Sequence, residues 1–184
     1  MAYYASADLG VLAPRGWHCF GLYGSNGSIL IVTPEPHHAD DLLKTNSNLT
    51  GPAIQLSFSF GDTSGRFEVA QVAARLFPTK KEFVQRVIHE GIAPASDFPF
   101  GPYPADILTR RSDTEVEFET PANTDGMGTK SRLVKNSSPI NGVAIMTADE
   151  NLVLLEARMP PDLSILVPSI LGETRRASST SAHE

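Results

Sequence analysis

The side chains in this chain that could carry nucleophilic chemistry start with a lone thiol, Cys19, preceded by His18 and Trp17. A thiolate needs a neighbouring base to act near neutral pH. His18 cannot be that base if the segment is a strand, because adjacent side chains leave a strand from opposite faces. His37, His38 or His89 would have to reach Cys19 from elsewhere. The competing reading places Cys19 in the core beside Trp17, since free cysteine is among the residues most often buried. The sequence favours that reading.

His37, His38, Asp40 and Asp41 together offer imidazole and carboxylate, the donor set that suits zinc or another divalent ion. Their spacing matches no established ligand motif, so a polar loop leading into a short helix at 39–44 is the expectation. Gly126-Met127-Gly128-Thr129-Lys130-Ser131 resembles a phosphate loop only superficially. Thr129 separates the Gly and Lys that such a loop needs side by side. The expectation is a flexible surface segment, a potential lid made cationic by Lys130, Arg132 and Lys135. No serine sits in a Gly-x-Ser-x-Gly frame. Glu115, Glu117 and Glu119 alternate on one strand face opposite Arg110 and Arg111, which reads as a solvated face.

A stronger recognition signal is the segment from Pro94 to Pro104, with four prolines and three aromatic residues. Prolines restrict the backbone, and rigid aromatic surface is what binding sites use. Phe98, Phe100 and Tyr103, with Lys130 and Arg132 from the later segment, are therefore the candidate ligand- or partner-binding residues, although the sequence favours the competing reading in which Phe98 and Phe100 cap the edge of the core.

The elements that would hold these residues are legible from periodicity. Asn26-Gly27 between apolar runs predicts a hairpin with a two-residue turn, setting Tyr23 against Leu30 and Leu22 against Ile31. Ala53 to Phe60 alternates Ile54, Leu56, Phe58 and Phe60 with Gln55, Ser57 and Ser59, a half-buried strand whose small polar face invites close cover. A helix follows over 66–77, with Phe67, Ala70, Ala74 and Phe77 inward and Glu68, Gln71 and Arg75 wet. Pro78 ends it, and Thr79 to Glu82 has the spacing of a capping box for a second helix stopped at Gly91. Two hairpins come next, over 107–120 and 143–159, the first followed by a polar segment from Pro121 to Pro139. Leu163, Leu166, Val167, Ile170 and Leu171 mark a closing helix that Pro168 must kink or split. The class is α+β: one domain over 1–173, a mostly antiparallel sheet of hairpins with a central helix pair and a C-terminal helix packed on it, and a disordered tail over 174–184.

Composition narrows the function. The chain has 184 residues, 41% hydrophobic and 20% charged, typical of a soluble globular domain. A chain of this length buries about 70% of its unfolded surface, so no disulfide or metal is required for a core. Its net charge of −6 argues against non-specific nucleic-acid binding. No apolar run approaches the ~20 residues of a membrane span. The N-terminus reads as the inside of a domain rather than a beginning. A trimmed upstream segment is the expectation, with a periplasmic or secreted location if it were an export signal and a cytoplasmic one otherwise.

The segment from Leu12 to Gly21, followed by Tyr23-Gly24-Ser25-Asn26-Gly27-Ser28, resembles a family of bacterial proteins to which no activity is assigned. Gly51 to Gln55, Thr63 to Ala70 and Pro99 to Pro104 fit the same likeness, which covers nearly the whole chain. The early Pro-x-Gly-Trp strand is also similar to the PsbP-like α/β/α sandwich, which implies architecture alone. The sequence therefore points to a non-catalytic accessory or binding domain for a protein or small molecule, with no cofactor. The alternative is a Cys/His-dependent hydrolase or a divalent-metal enzyme.

Overall fold

In the computed structural model, which describes residues 1–6, 8–42 and 48–181, a seven-stranded antiparallel sheet carries different cover on its two faces. The chain opens with a hairpin of its own, β1 (Ala2–Ser6) and β2 (Leu9–Ala13). The large sheet is built from β3 (His18–Gly24), β4 (Gly27–Thr33), β5 (Ala53–Ser59), β6 (Ile107–Arg110), β7 (Glu115–Thr120), β8 (Ile140–Met146) and β9 (Leu152–Arg158). Their order is β3-β4-β5-β9-β8-β7-β6, so the last strand inserts at the centre beside β5.

Alternation along the strands splits the sheet into two apolar faces. On one face Leu30, Val32, Ile54, Leu56, Val143 and Leu155 pack under β1, β2 and the closing helix. On the other, Val116, Phe118, Ala144, Leu152 and Leu154 pack under α2 (Arg66–Leu76) and α3 (Lys81–His89). A third cluster of Ile31, Leu49, Ala53, Leu133 and Ile140 closes the end of that second face. The α+β class and the helix pair are as the periodicity predicts. No helix among the described residues is long and apolar enough to cross a membrane.

Several local expectations are corrected. The β3–β4 turn is centred on Ser25-Asn26, with Gly24 opposite Gly27 and Tyr23 opposite Ser28. Gly27 is needed for close approach, because a Cβ there would lie 1.9 Å from the Phe58 carbonyl oxygen. The two-residue slip preserves side-chain parity, so the predicted faces survive it. The capping box does not form: a 3-10 turn over Pro78–Lys80 precedes α3, and the Thr79 hydroxyl donates to Asp113 O instead. Gly91, at φ +69°, does stop that helix.

The closing segment begins as a 3-10 turn over Pro161–Leu166 and continues as α4 (Val167–Ser181), with Pro168 in the first turn, where its missing N–H costs nothing. The helix passes through residues expected to be a disordered tail. Thr174 is buried there and Arg175 pairs with Glu115 and Glu117. Those glutamates are thus half-buried under a helix rather than a solvated face. The short α1 (Ala39–Leu42) starts where expected, while residues 43 and 44 lie outside those described.

Candidate functional site

The two irregular segments picked out from the sequence converge on one edge of α2. The proline-rich segment is pinned at two points. Phe98 is 1% exposed and belongs to the core under α2 and α3. Three residues on, Gly101 at φ +92° donates its N–H to Ala74 O of α2 at 2.9 Å. Between these anchors and β6, Tyr103 lies beneath the Arg75 guanidinium at 4.1 Å from its ring centroid. Arg75 also donates to Gly101 O at 3.1 Å, so its charge is engaged on the loop.

The segment from Gly126 to Ser131 is not the flexible lid expected of it. Met127–Thr129 form a 3-10 turn with Met127 and Gly128 buried. Asp106 organises it, accepting from Met127 N at 2.8 Å and from the Thr120 hydroxyl at 2.6 Å. Thr120 in turn accepts from Gly128 N at 3.0 Å. The turn brings the exposed Lys130 to 5.8 Å from the same Tyr103 ring. Arg132 joins the site through its backbone, donating its N–H to Gln55 Oε1 at 3.3 Å.

Together α2, these segments and the sheet enclose a cavity of about 350 Å³. Gln55, Leu154 and Glu156 form its floor, Val72 and Met127 its apolar wall, and Glu68, Asp97 and Lys130 its exposed rim. Glu156 decides the character of this space. It is 0% exposed, stands directly opposite Gln55 in the β5–β9 register, and neither carboxylate oxygen has a hydrogen-bond partner. An isolated carboxylate in such surroundings loses its hydration without compensation. Burial therefore drives the Glu156 carboxyl well above the usual range, opposed by the nearby Ser131 hydroxyl and, to a smaller extent, reinforced by the negative charge of Glu68. The Ser131 hydroxyl itself donates to Gly128 O at 3.2 Å.

Glu68 was expected on the wet face of α2. Its residue surface is exposed, but its carboxyl turns into the cavity mouth and accepts from the Ser59 hydroxyl at 3.0 Å. Surrounding protein raises its pKa and the Ser59 hydrogen bond lowers it, with burial the larger effect.

The thiol is elsewhere. Cys19 is exposed, contrary to the expected core position, because β3 is an edge strand with a neighbour on one side only. It pairs across to Val32, on the face away from the cavity. Among the described residues no hydrogen bond or ion pair joins it to His18, to the half-buried His37, or to His38. His89 bonds to Gln85 O. Trp17 is half-buried against the core beneath β1 and β2. No three His, Cys, Asp or Glu side chains among the described residues are grouped to hold a metal ion, Asp40 and Asp41 included.

Of the predicted binding residues, Tyr103 and Lys130 line the cavity, Phe98 is core, and Phe100 is half exposed outside it. Sequence reasoning missed Glu156, Gln55, Glu68 and Arg75. The available signal was a lone acid inside the apolar run Leu152-Val153-Leu154-Leu155-Glu156. Comparison with protein-family models, with curated proteins and with solved structures gives no match.

Proposed function

We propose that this chain is a non-catalytic binding domain whose ligand is a small molecule held in the cavity between α2, the proline-rich segment and the sheet. One observation carries the reading. A fully buried carboxyl with no partner forms the floor of a cavity large enough for a ligand. An unsatisfied buried polar group costs about 1–3 kcal/mol, so it is retained where something outside the fold completes it. The mixture of a few convergent polar groups with apolar wall is the usual make-up of a small-molecule site. No His or Cys lines the cavity to activate its two serines, Ser96 and Ser131, and the Ser131 hydroxyl is committed to the backbone, which favours binding over nucleophilic chemistry.

Methyl-resolved NMR tests the reading with a library of compact organic fragments of all charge classes. Shifts at Met127, Val72 and Leu154 for some fragments are expected. A folded protein in which no fragment of any charge moves those methyls would overturn the proposal.

A further inference from the structure

We propose that the cavity is built for a compact organic cation, a primary ammonium on an apolar body, seated with its ammonium against Glu156 and Glu68. This rests on the binding-domain reading and names its ligand class.

The charge inventory of the cavity points to a cation. Glu68, Asp97 and Glu156 face it from α2, the proline-rich segment and β9, against Arg75 and Lys130. Arg75 is stacked on Tyr103 and bonded to Gly101 O. Lys130 stands exposed at the rim over the same ring. The floor therefore holds acid and amide groups and no cation of the protein's own. An ammonium carries three donors and no acceptor. Three acceptors line its path: Glu68 at the mouth, and on the floor Glu156 and the second lone pair of Gln55 Oε1, whose first takes the Arg132 N–H. Val72, Met127 and Leu154, each at most 5% exposed, supply the apolar surroundings for the body.

Other occupants fit less well. An anion on this floor would meet two acids in a desolvated site. A hydroxyl would bond to one oxygen of Glu156 and bring no charge to the acidic lining. A hard divalent ion takes six or more oxygens, and the described residues group no set of three acidic, His or Cys ligands. The ammonium also explains why Glu156 is retained: the empty site favours its neutral acid, and the arriving cation makes the ionised form favourable. Binding then releases a proton from Glu156 to solvent. The charged and titratable groups facing it are Glu68 and Arg75 on α2, Asp97 and Tyr103 on the proline-rich segment, and Lys130.

The test uses three shape-matched probes, cyclohexylmethylamine, cyclohexylmethanol and cyclohexanecarboxylate, by calorimetry and methyl NMR on the full chain. The amine should bind about tenfold tighter than the alcohol or better, the gain of a charge-assisted bond over a neutral one. Its affinity should rise with pH, with proton release detected by comparing buffers of different ionisation enthalpy. Glu156→Gln and, independently, Glu68→Gln should each remove about tenfold from the amine and leave the alcohol nearly unchanged. An alcohol as tight as the amine, a carboxylate that binds best, or an amine preference surviving in Glu156→Gln would overturn the cation assignment and leave the cavity reading standing. Silence of the Met127, Val72 and Leu154 methyls to all three probes and to the wider library would overturn both.

Discussion

Glu156 and Arg158 stand two residues apart on the same face of β9, both buried, and are not bonded to each other. Arg158 instead donates to the carbonyl oxygens of Leu49, Gly51 and Val134. One ionisable group is absorbed by structure and the other is left facing a cavity. The division of labour along one strand separates what holds the fold from what the site offers to a ligand.

The unpartnered acid makes the protein's own stability depend on pH in an unusual direction. Folding raises the Glu156 pKa above its ordinary 4.5. The unfolded chain therefore ionises first, and wild-type stability falls as pH rises above that value, at up to about 1.4 kcal/mol per pH unit, until the folded pKa is passed. Glu156→Gln removes this loss. Urea unfolding should show a variant-minus-wild-type advantage that is small near pH 4.5 and grows toward neutrality. A constant difference across that range would contradict it.

Arg158 is the opposite case. Its substitution by Met leaves the Gly51 and Val134 carbonyls without the donors Arg158 supplies, and leaves the Leu49 carbonyl with the Val134 N–H alone, where the parallel bridge between Leu49 and Leu133 meets the sheet. Unfolding free energy should fall by about 3–5 kcal/mol, as when one partner of a buried charged network is removed. A loss below about 1 kcal/mol, on the scale of a surface substitution, would show that the clamp is dispensable.

Phe98 and Phe100 share one proline-rich segment and should behave differently. Phe98→Ala empties a core position and should cost about 3–5 kcal/mol. Phe100→Ala, at a half-exposed ring, should stay within about 0.5 kcal/mol. Chemical denaturation of the two variants decides the assignment, and equal costs would contradict it.

Cys19 should react with iodoacetamide in the folded protein, without denaturant, because its side chain is open on an edge strand. Mass spectrometry of the native protein should find one label per chain. Labelling seen only after unfolding would place the thiol in the core.

How much of this was legible follows from where each signal lives. Local patterns located most of the elements: Pro78 and Gly91 punctuate the helix pair, and Val116 and Phe118 face inward as alternation requires. Face assignment survived the misplaced turn at Asn26 because a slip of two keeps parity. The opening hairpin was missed because β1 buries its residues only partly. Cys19 was misplaced because composition cannot identify an edge strand. The site was illegible for a deeper reason. Gln55 and Glu156 become neighbours only once β9 inserts beside β5, a pairing about 100 residues apart along the chain that no local period encodes. Glu68 looked wet because helix periodicity says which side is polar, and not that a cavity lies there.

The most direct measurement is the Glu156 carboxyl carbon followed by NMR through a pH titration of the free protein. A buried, unpartnered acid on a cavity floor predicts a midpoint well above 4.5. A midpoint at or below that value would mean that the carboxyl is hydrated or paired, and would contradict the account.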